Sequence, residues 1–270
     1  MTIVKWIVRL ASLAIALLFL VPIIWMLVVS VKREGMKIAT AFDWFTPPYS
    51  FSVYREVIVQ TKLTNWVWNS FFVAVCVMVL TVGIAAMAGY AMSKLRFRYK
   101  TFMYFFILAG FLIPGEAILV PLYQVAKNLD ILNSYGGLIL PVLASPLAII
   151  VLKGFFDGVP NDLIESVQID GGGTWRVFAG ILLPLTRPAL ASIAIITFIA
   201  SWNNFLWPFL SVTDDRLFTL PMGIPTLMSQ YAKDYVKPMA INTVASIPII
   251  ALFLVFERQI VKGISLTGMK

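Results

Sequence analysis

No histidine occurs among the 270 residues, which excludes every serine–histidine catalytic scheme and most zinc sites. The single cysteine, Cys76, lies in an apolar run. It can close no disulfide within the chain, and it reads as packing rather than chemistry. Charge is scarce too: 13% of residues are Asp, Glu, Lys or Arg, against roughly 25% in a soluble domain. No G-x-x-x-x-G-K-[ST] run is present, so nucleotide phosphates have no P-loop cradle on this chain. The apolar runs also lack the chain of acids and bases that a proton-coupled carrier uses. Acids are the scarcer sign, leaving a formal charge of +8. In a chain this apolar, the excess reads as basic loops beside anionic lipid headgroups, not as a nucleic-acid surface.

What the sequence has in abundance is membrane-length apolar runs, with 60% of residues hydrophobic. A helix of about 20 residues crosses the roughly 30 Å hydrocarbon layer. The expected fold is therefore all-α: a polytopic membrane protein, one transmembrane domain over 1–270, with six spans near 10–31, 66–92, 101–126, 135–156, 189–212 and 238–256. Lys5 and Arg9 before the first run imitate a secretory signal. The run is too long for one and no small-x-small cleavage site follows, so it reads as an uncleaved span. A polar loop, 32–65, can hold a short helix near Phe51. Trp66 and Trp68 fit an interfacial belt, and Gly83, Ala85, Ala86, Ala88 and Gly89 let a neighbouring helix approach. Pro114-Gly115 interrupts the third run, Pro141 and Pro146 the fourth, and Pro248 is a kink point in the sixth.

Between the fourth and fifth runs, 157–188 is polar enough to leave the bilayer. Its first part, Asn161 to Ile169, places Leu163, Ile164 and Val167 on one helical face. Asn161 is positioned to cap it, with Asp162 in its first turn. Gly171, Gly172 and Gly173 suit a sharp bend. Thr174 is expected to cap a second short helix that Pro184 and Pro188 end. An amphipathic loop resting on the membrane surface would show a similar pattern. The spacing, however, resembles the coupling motif of importer-type ABC permeases, E-A-A-x(3)-G-x(9)-I-x-L-P. Glu165, Gly171, Ile181, Leu183 and Pro184 fall at its offsets. Ser166 and Val167 replace its alanines, and Gly172 follows Asp170-Gly171 where alanine is usual.

Further segments are similar to carbohydrate-type permeases, the group with the smaller maltose-system permease and the glycerol-3-phosphate permeases. They are Pro114-Gly115-Glu116, the YGGLILP run from Tyr135 to Pro141, the run from Ile196 to Asp214, and the C-terminal ERQIVKGISLTGMK. The resemblance implies an importer-type permease core in a prokaryotic inner membrane. It implies four kinds of company: a second permease in a heterodimer, two ATPase subunits carrying ATP and Mg, an extracytoplasmic solute-binding protein, and lipid. The chain itself would be no enzyme and bind no cofactor or metal. Glu165, Ser166, Asp170, Gly171, Gly172, Ile181, Leu183 and Pro184 would form the ATPase-coupling elbow. The tail 257–270 would reach the ATPases through Ser265, Thr267 and Lys270. The implied function is import of a sugar or oligosaccharide by alternating access; glycerol-3-phosphate or another polar solute fits the same architecture. An ion-gradient carrier is the reading from a different class.

Orientation rests on Lys94, Arg96, Arg98 and Lys100, a short basic loop without an acid, which the positive-inside rule keeps cytoplasmic. Parity then puts both termini and the elbow on that side. The loop with Lys32, Arg33, Lys37, Arg55 and Lys62 argues the other way. For the substrate path the candidates are Glu116, Trp202, Asn203 and Asn204. Trp202 can stack on an apolar sugar face and the amides can meet hydroxyls. Equally, the tryptophans can mark an interface and the asparagines bond neighbouring helices. Glu116, about 22 Å along a straight third span, reads as a structural or gating acid or as a substrate contact.

Overall fold

Proline stands at or beside the breaks of three bent helix pairs, although Pro22, Pro121, Pro225 and Pro248 lie inside unbroken helices. The structure is a computed structural model. It describes the backbone of all residues except 1, 37–39, 231–234 and 268–270, and side chains except those and 2–3, 41, 229–230 and 255–267. Helix α1 (Thr2–Ser30) is followed by the short α2 (Ser52–Gln60), which buries Val53 and Val57 one turn apart. Helix α3 (Leu63–Lys94) then runs 32 residues with no proline. The third apolar run becomes α4 (Lys100–Leu112) and α5 (Gly115–Asn128), bent by 103° at Pro114. The fourth becomes α6 (Tyr135–Ile139), one 3-10 turn, and α7 (Pro146–Asp157), with a bend of 49°.

The elbow holds α8 (Asn161–Ile169), α9 (Thr174–Val177) and α10 (Leu183–Leu185). A π turn, Phe178–Leu182, joins the last two. Pro184 has no N–H to give to an i−4 carbonyl, and the widened turn before it accommodates that loss. A 79° bend at Thr186 leads into α11 (Arg187–Trp202). Helices α12 (Leu206–Ser211), α13 (Leu220–Gln230) and α14 (Val236–Thr267) complete the chain.

Among the described residues three helices, α1, α3 and α14, are each long and apolar enough to cross a membrane, and the number rises to six if each of three bent pairs is one span. Three expectations need correcting. The third run is not straight, so a depth for Glu116 counted along it does not hold: Pro114 turns the chain first. The fifth run, expected to 212, stops at Trp202, and α12 is a separate helix. The sixth continues as one helix through most of the expected tail, to Thr267.

Helix α3 lies at the centre. Its closest neighbour is α7, where a Cβ added at Gly89 would stand 3.1 Å from the backbone nitrogen of Lys153. Larger side chains would push the two helices apart, as the small-residue run in this stretch predicts. One buried cluster, including Tyr90, Leu152, Phe156, Phe178 and Leu182, packs around the elbow. Another, including Trp66, Phe198, Trp202 and Leu220, packs near the opposite end of α3. Most described side chains of α1, and Phe102, Met103, Phe105 and Phe106 of α4, face outward, as lipid-facing surfaces must in a bundle this size.

Candidate functional site

The elbow begins where α7 ends. Asn161 does not cap α8: Pro160 holds the N-cap position, and the Asn161 Oδ1 instead accepts from Lys94 Nζ at 3.0 Å. Of the expected apolar face, Ile164 is buried and Val167 packs against the same cluster. Leu163 is 41% exposed and Ile169 85%, so part of the apolar surface of α8 points away from the protein. Glu165 and Asp170 are exposed beside it.

The hinge follows a Schellman pattern. Gly171 N donates to Gln168 O at 3.0 Å and Gly172 N to Val167 O at 2.8 Å. Gly171 has φ +76°, the left-handed region that a side chain disfavours. Gly172 is needed for a different reason. A Cβ there would meet Val167 Cγ1 at 2.5 Å. The backbone oxygen of Val167 would stand 2.8 Å from it as well, so the valine side chain fills only part of the space that an alanine at 172 would need. Thr174 is not the cap of the second arm, because Gly173 stands at the N-cap. Ile181 and Leu183 are partly buried against the elbow cluster, whereas Leu182, the unspecified position of the motif, is fully buried.

What the sequence did not reveal is how the elbow is held. Lys94 Nζ donates to Val159 O at 2.8 Å as well as to Asn161. Ser93 Oγ donates to Asp157 Oδ1 at 2.6 Å, and Lys153 Nζ pairs with the other Asp157 oxygen at 2.6 Å. Tyr90 reaches the second arm: its hydroxyl donates to Thr174 O at 3.1 Å and its ring stacks on Phe178 at 5.3 Å. Lys100 Nζ donates to Ser93 O and Leu95 O, each at 3.0 Å, closing the loop below α3. Lys94 and Lys100, read as topological charges, are therefore structural donors as well. Sequence offers one signal for this, a lysine in the last turn of a long helix, where it also suits the helix dipole. These groups border a polar cleft of about 770 Å³ lined by Lys94, Arg96, Lys100, Asp157, Asn161 and Glu165 among others.

Of the substrate-path candidates, Glu116 is on α5, whereas Trp202, Asn203 and Asn204 are consecutive at the end of α11. Glu116 is exposed in the first turn of α5, just after the Pro114 break. Trp202 does not present a face for stacking in this conformation: it is 2% exposed and stacks on Phe198 at 5.9 Å. Asn203 Nδ2 donates to Ile199 O at 3.0 Å, and Asn204 Oδ1 accepts from Trp207 N at 3.3 Å. Trp207 Nε1, buried, donates to Gly137 O at 2.9 Å. Of the tail candidates, Lys270 and the side chains of Ser265 and Thr267 lie outside the described residues. Among the described residues no group of three or more acids or cysteines is placed to hold a metal.

At the end of α3 away from the elbow, Lys62 pairs with Asp215 and Trp66 Nε1 donates to Asp215 O at 2.9 Å. Hydrogen bonds and charge from Arg216 hold the Asp214 carboxyl below its ordinary pKa. Lys32, counted from sequence as a free loop charge, is fully buried, donates to Thr46 O and lies 4.3 Å from the Tyr49 ring centroid.

Known proteins share this architecture. The chain is 29% identical to an arabinooligosaccharides transport system permease protein, AraQ, of Halalkalibacterium halodurans, covering 99% of this chain and 97% of that one. It is 32% identical to a diacetylchitobiose uptake system permease protein, NgcG, of Streptomyces coelicolor, over 95% and 88% of the two chains. A crystal structure of a bacterial ABC transporter involved in import of the polysaccharide alginate superposes with a TM-score of 0.83 at 20% identity, over 94% and 96%. That likeness establishes the fold: an importer permease core that crosses the membrane several times. Residues 81–266 match the model of the binding-protein-dependent transport system inner membrane components, and the chain belongs to that family, as a membrane-spanning transport subunit and not the ATPase.

Proposed function

We propose that this permease imports a neutral sugar or oligosaccharide by alternating access, driven through the elbow by separate ATPases. The observation that carries the reading is the outward surface of α8. Ile169 at the tip is 85% exposed and Leu163 41%, with Trp175 on the second arm 68% exposed. Burying one such side chain stabilises an interface by about 1.5–3 kcal/mol, and the exposed Glu165 beside them offers a charge for a basic partner. The Schellman hinge and the α3 contacts hold this surface in one shape, as a grip must be held.

In this reading two ATPase subunits with ATP and Mg seat the elbow, and a second permease completes the pore. A solute-binding protein delivers substrate to the opposite face. Elbow and both termini lie in the cytoplasm. Closure of the ATPases moves 162–183 as one body, and α7 and α11 tilt with it about the breaks at Pro146 and Thr186. Glu116, Asn203 and Asn204 are the side chains proposed to line the path, and the tail beyond 257 to touch the ATPases. The sugar assignment follows the relatives, whose names specify arabinooligosaccharides and diacetylchitobiose.

The test is uptake in liposomes containing the whole importer. Proline fixes φ near −65° where Gly171 has +76°, so Gly171→Pro should leave the protein in the membrane and lower uptake by about a hundredfold. Glu165→Ala should lower it less. Full uptake by a well-expressed Gly171→Pro protein contradicts the proposal, and a panel of sugars presented with the cognate binding protein identifies the substrate.

A further inference from the structure

Helix α3 is fastened at both ends, and what it holds at each end is a surface at which a partner would act. At the elbow end its last turns grip both arms: Lys94 on the first arm through Val159 O and Asn161, Tyr90 on the second through Thr174 O and Phe178. At the other end two side chains donate three hydrogen bonds to the carbonyls of one loop. Trp66 Nε1 bonds Asp215 O, and Asn69 Nδ2 bonds Arg216 O at 2.8 Å and Phe218 O at 2.9 Å. Leu220 N donates to Ser70 Oγ at 2.7 Å. Asp215 and Arg216 face outward from that loop, Arg216 82% exposed, whereas Phe218 packs on the Trp66 ring and Thr219 and Leu220 are buried. Asn69 itself is fully buried and its Oδ1 accepts from Tyr135 at 2.7 Å.

Between these anchors nothing yields. Asn69 and Lys94 are separated by about 37 Å at 1.5 Å per residue, in a helix with no proline and no break. Gly89 brings its backbone against α7. The elbow cannot shift relative to α3 without giving up the Tyr90 and Lys94 bonds, and the loop cannot shift without giving up those of Asn69. A rigid element pinned in this way makes displacement at one end visible at the other, and equilibrium coupling of this kind is reciprocal.

We propose that α3 is a strut transmitting motion between the elbow and the loop 214–220, with Tyr90 and Lys94 as positioning residues at one end and Asn69 at the other. The inference rests on the coupling role proposed for the elbow and adds its route: a binding protein docked on the far loop is felt at the ATPases through α3, rather than through the bent α6/α7 and α9–α11 segments alone.

The experiment uses the complete importer in liposomes and reads ATP hydrolysis with and without loaded solute-binding protein. The elbow-end variant is Tyr90→Phe with Lys94→Met and the far-end variant is Asn69→Leu. Where Asn69→Leu fails to assemble, Asn65→Ala replaces it, removing an exposed bond to Arg216 O. Basal hydrolysis should stay within about twofold while stimulation falls about tenfold in each variant. Lys94→Arg, which keeps donors at that corner, should restore most of it when paired with native Tyr90. Sites this far apart normally act additively, so the decisive result is the combined variant. One strut predicts a loss no greater than the worse single loss; independent effects would multiply to about a hundredfold and overturn the proposal. Glu165→Ala is the control. If it lowers stimulation and the α3 variants do not, the strut is wrong and the elbow reading stands; if it also leaves stimulation intact, both fall.

Discussion

Helix α3 and the bent spans are built from the same apolar alphabet and behave as opposites. Helix α3 keeps 32 residues in one unbroken helix, with small residues where α7 presses against it. The pairs α4/α5, α6/α7 and α9–α10/α11 are interrupted at or beside Pro114, Pro146 and Thr186-Arg187-Pro188, with bends of 103°, 49° and 79°. The difference teaches where stiffness and compliance reside. A helix interior without proline resists bending, whereas a missing N–H and a clashing ring concentrate bending at one point. The helices proposed to tilt contain such points; the helix that touches both arms of the elbow does not.

The largest effect is expected from erasing this contrast. Ala85→Pro would put a break in the buried middle of α3 and cost about 3 kcal/mol or more. Its expected outcome is a sharp fall in membrane-inserted protein by quantitative immunoblot, whereas Pro146→Ala, at an existing break, should leave the level near wild type. Equal levels for the two would erase the distinction between strut and hinge. A smaller effect sharpens the elbow's side of the comparison. Gly172→Ala should lower the melting temperature in detergent, by an amount corresponding to about 1–3 kcal/mol of overpacking. Adding Val167→Ala should recover part of it, since that removes the Val167 methyl and leaves only the backbone oxygen of residue 167 too close. If the double variant is worse than the single one, the pairing of the two positions is wrong.

The smallest effect concerns the far loop and its pH dependence. The pKa of Asp214 is lowered by its bonds from Arg216, so its contribution is present above the ordinary carboxylate value of about 4. It is lost as pH falls through the lowered folded value. Asp214→Asn should therefore differ slightly from wild type in thermal stability at pH 7, and the two should converge in strong acid. A gap that widens on acidification would reverse the sign.

The helical membrane class was legible because runs of apolar residues long enough to span have few alternatives. Helix α8 was legible to its ends, from its periodicity and the glycines after it. The clamp was not. Nothing local to Tyr90 or Lys94 says that the partners lie at Thr174 and Asn161, since such pairs form only once α3, α7 and the elbow have packed. The same blindness affected Trp202. Its neighbourhood of amides suggested a binding surface, but Phe198 one turn earlier takes its ring face. Asn161 and Thr174 failed as caps because Pro160 and Gly173 reach the cap positions first. Asn161 then served a long-range bond that no spacing rule contains. No expectation covered helix α13, in which Gly223 is where the Trp66 ring packs.

The central claim, that the elbow is the seat of separate ATPases, is tested most directly at its tip. With Cys76 replaced by serine, Ile169→Cys provides the chain's one thiol at an exposed position. In the assembled importer a short bifunctional thiol reagent should join it to an ATPase subunit carrying an engineered surface cysteine. In intact cells an impermeant maleimide should leave it unlabelled. Labelling from outside the cell, or a fully assembled importer in which residue 169 joins to no ATPase subunit, would contradict the account.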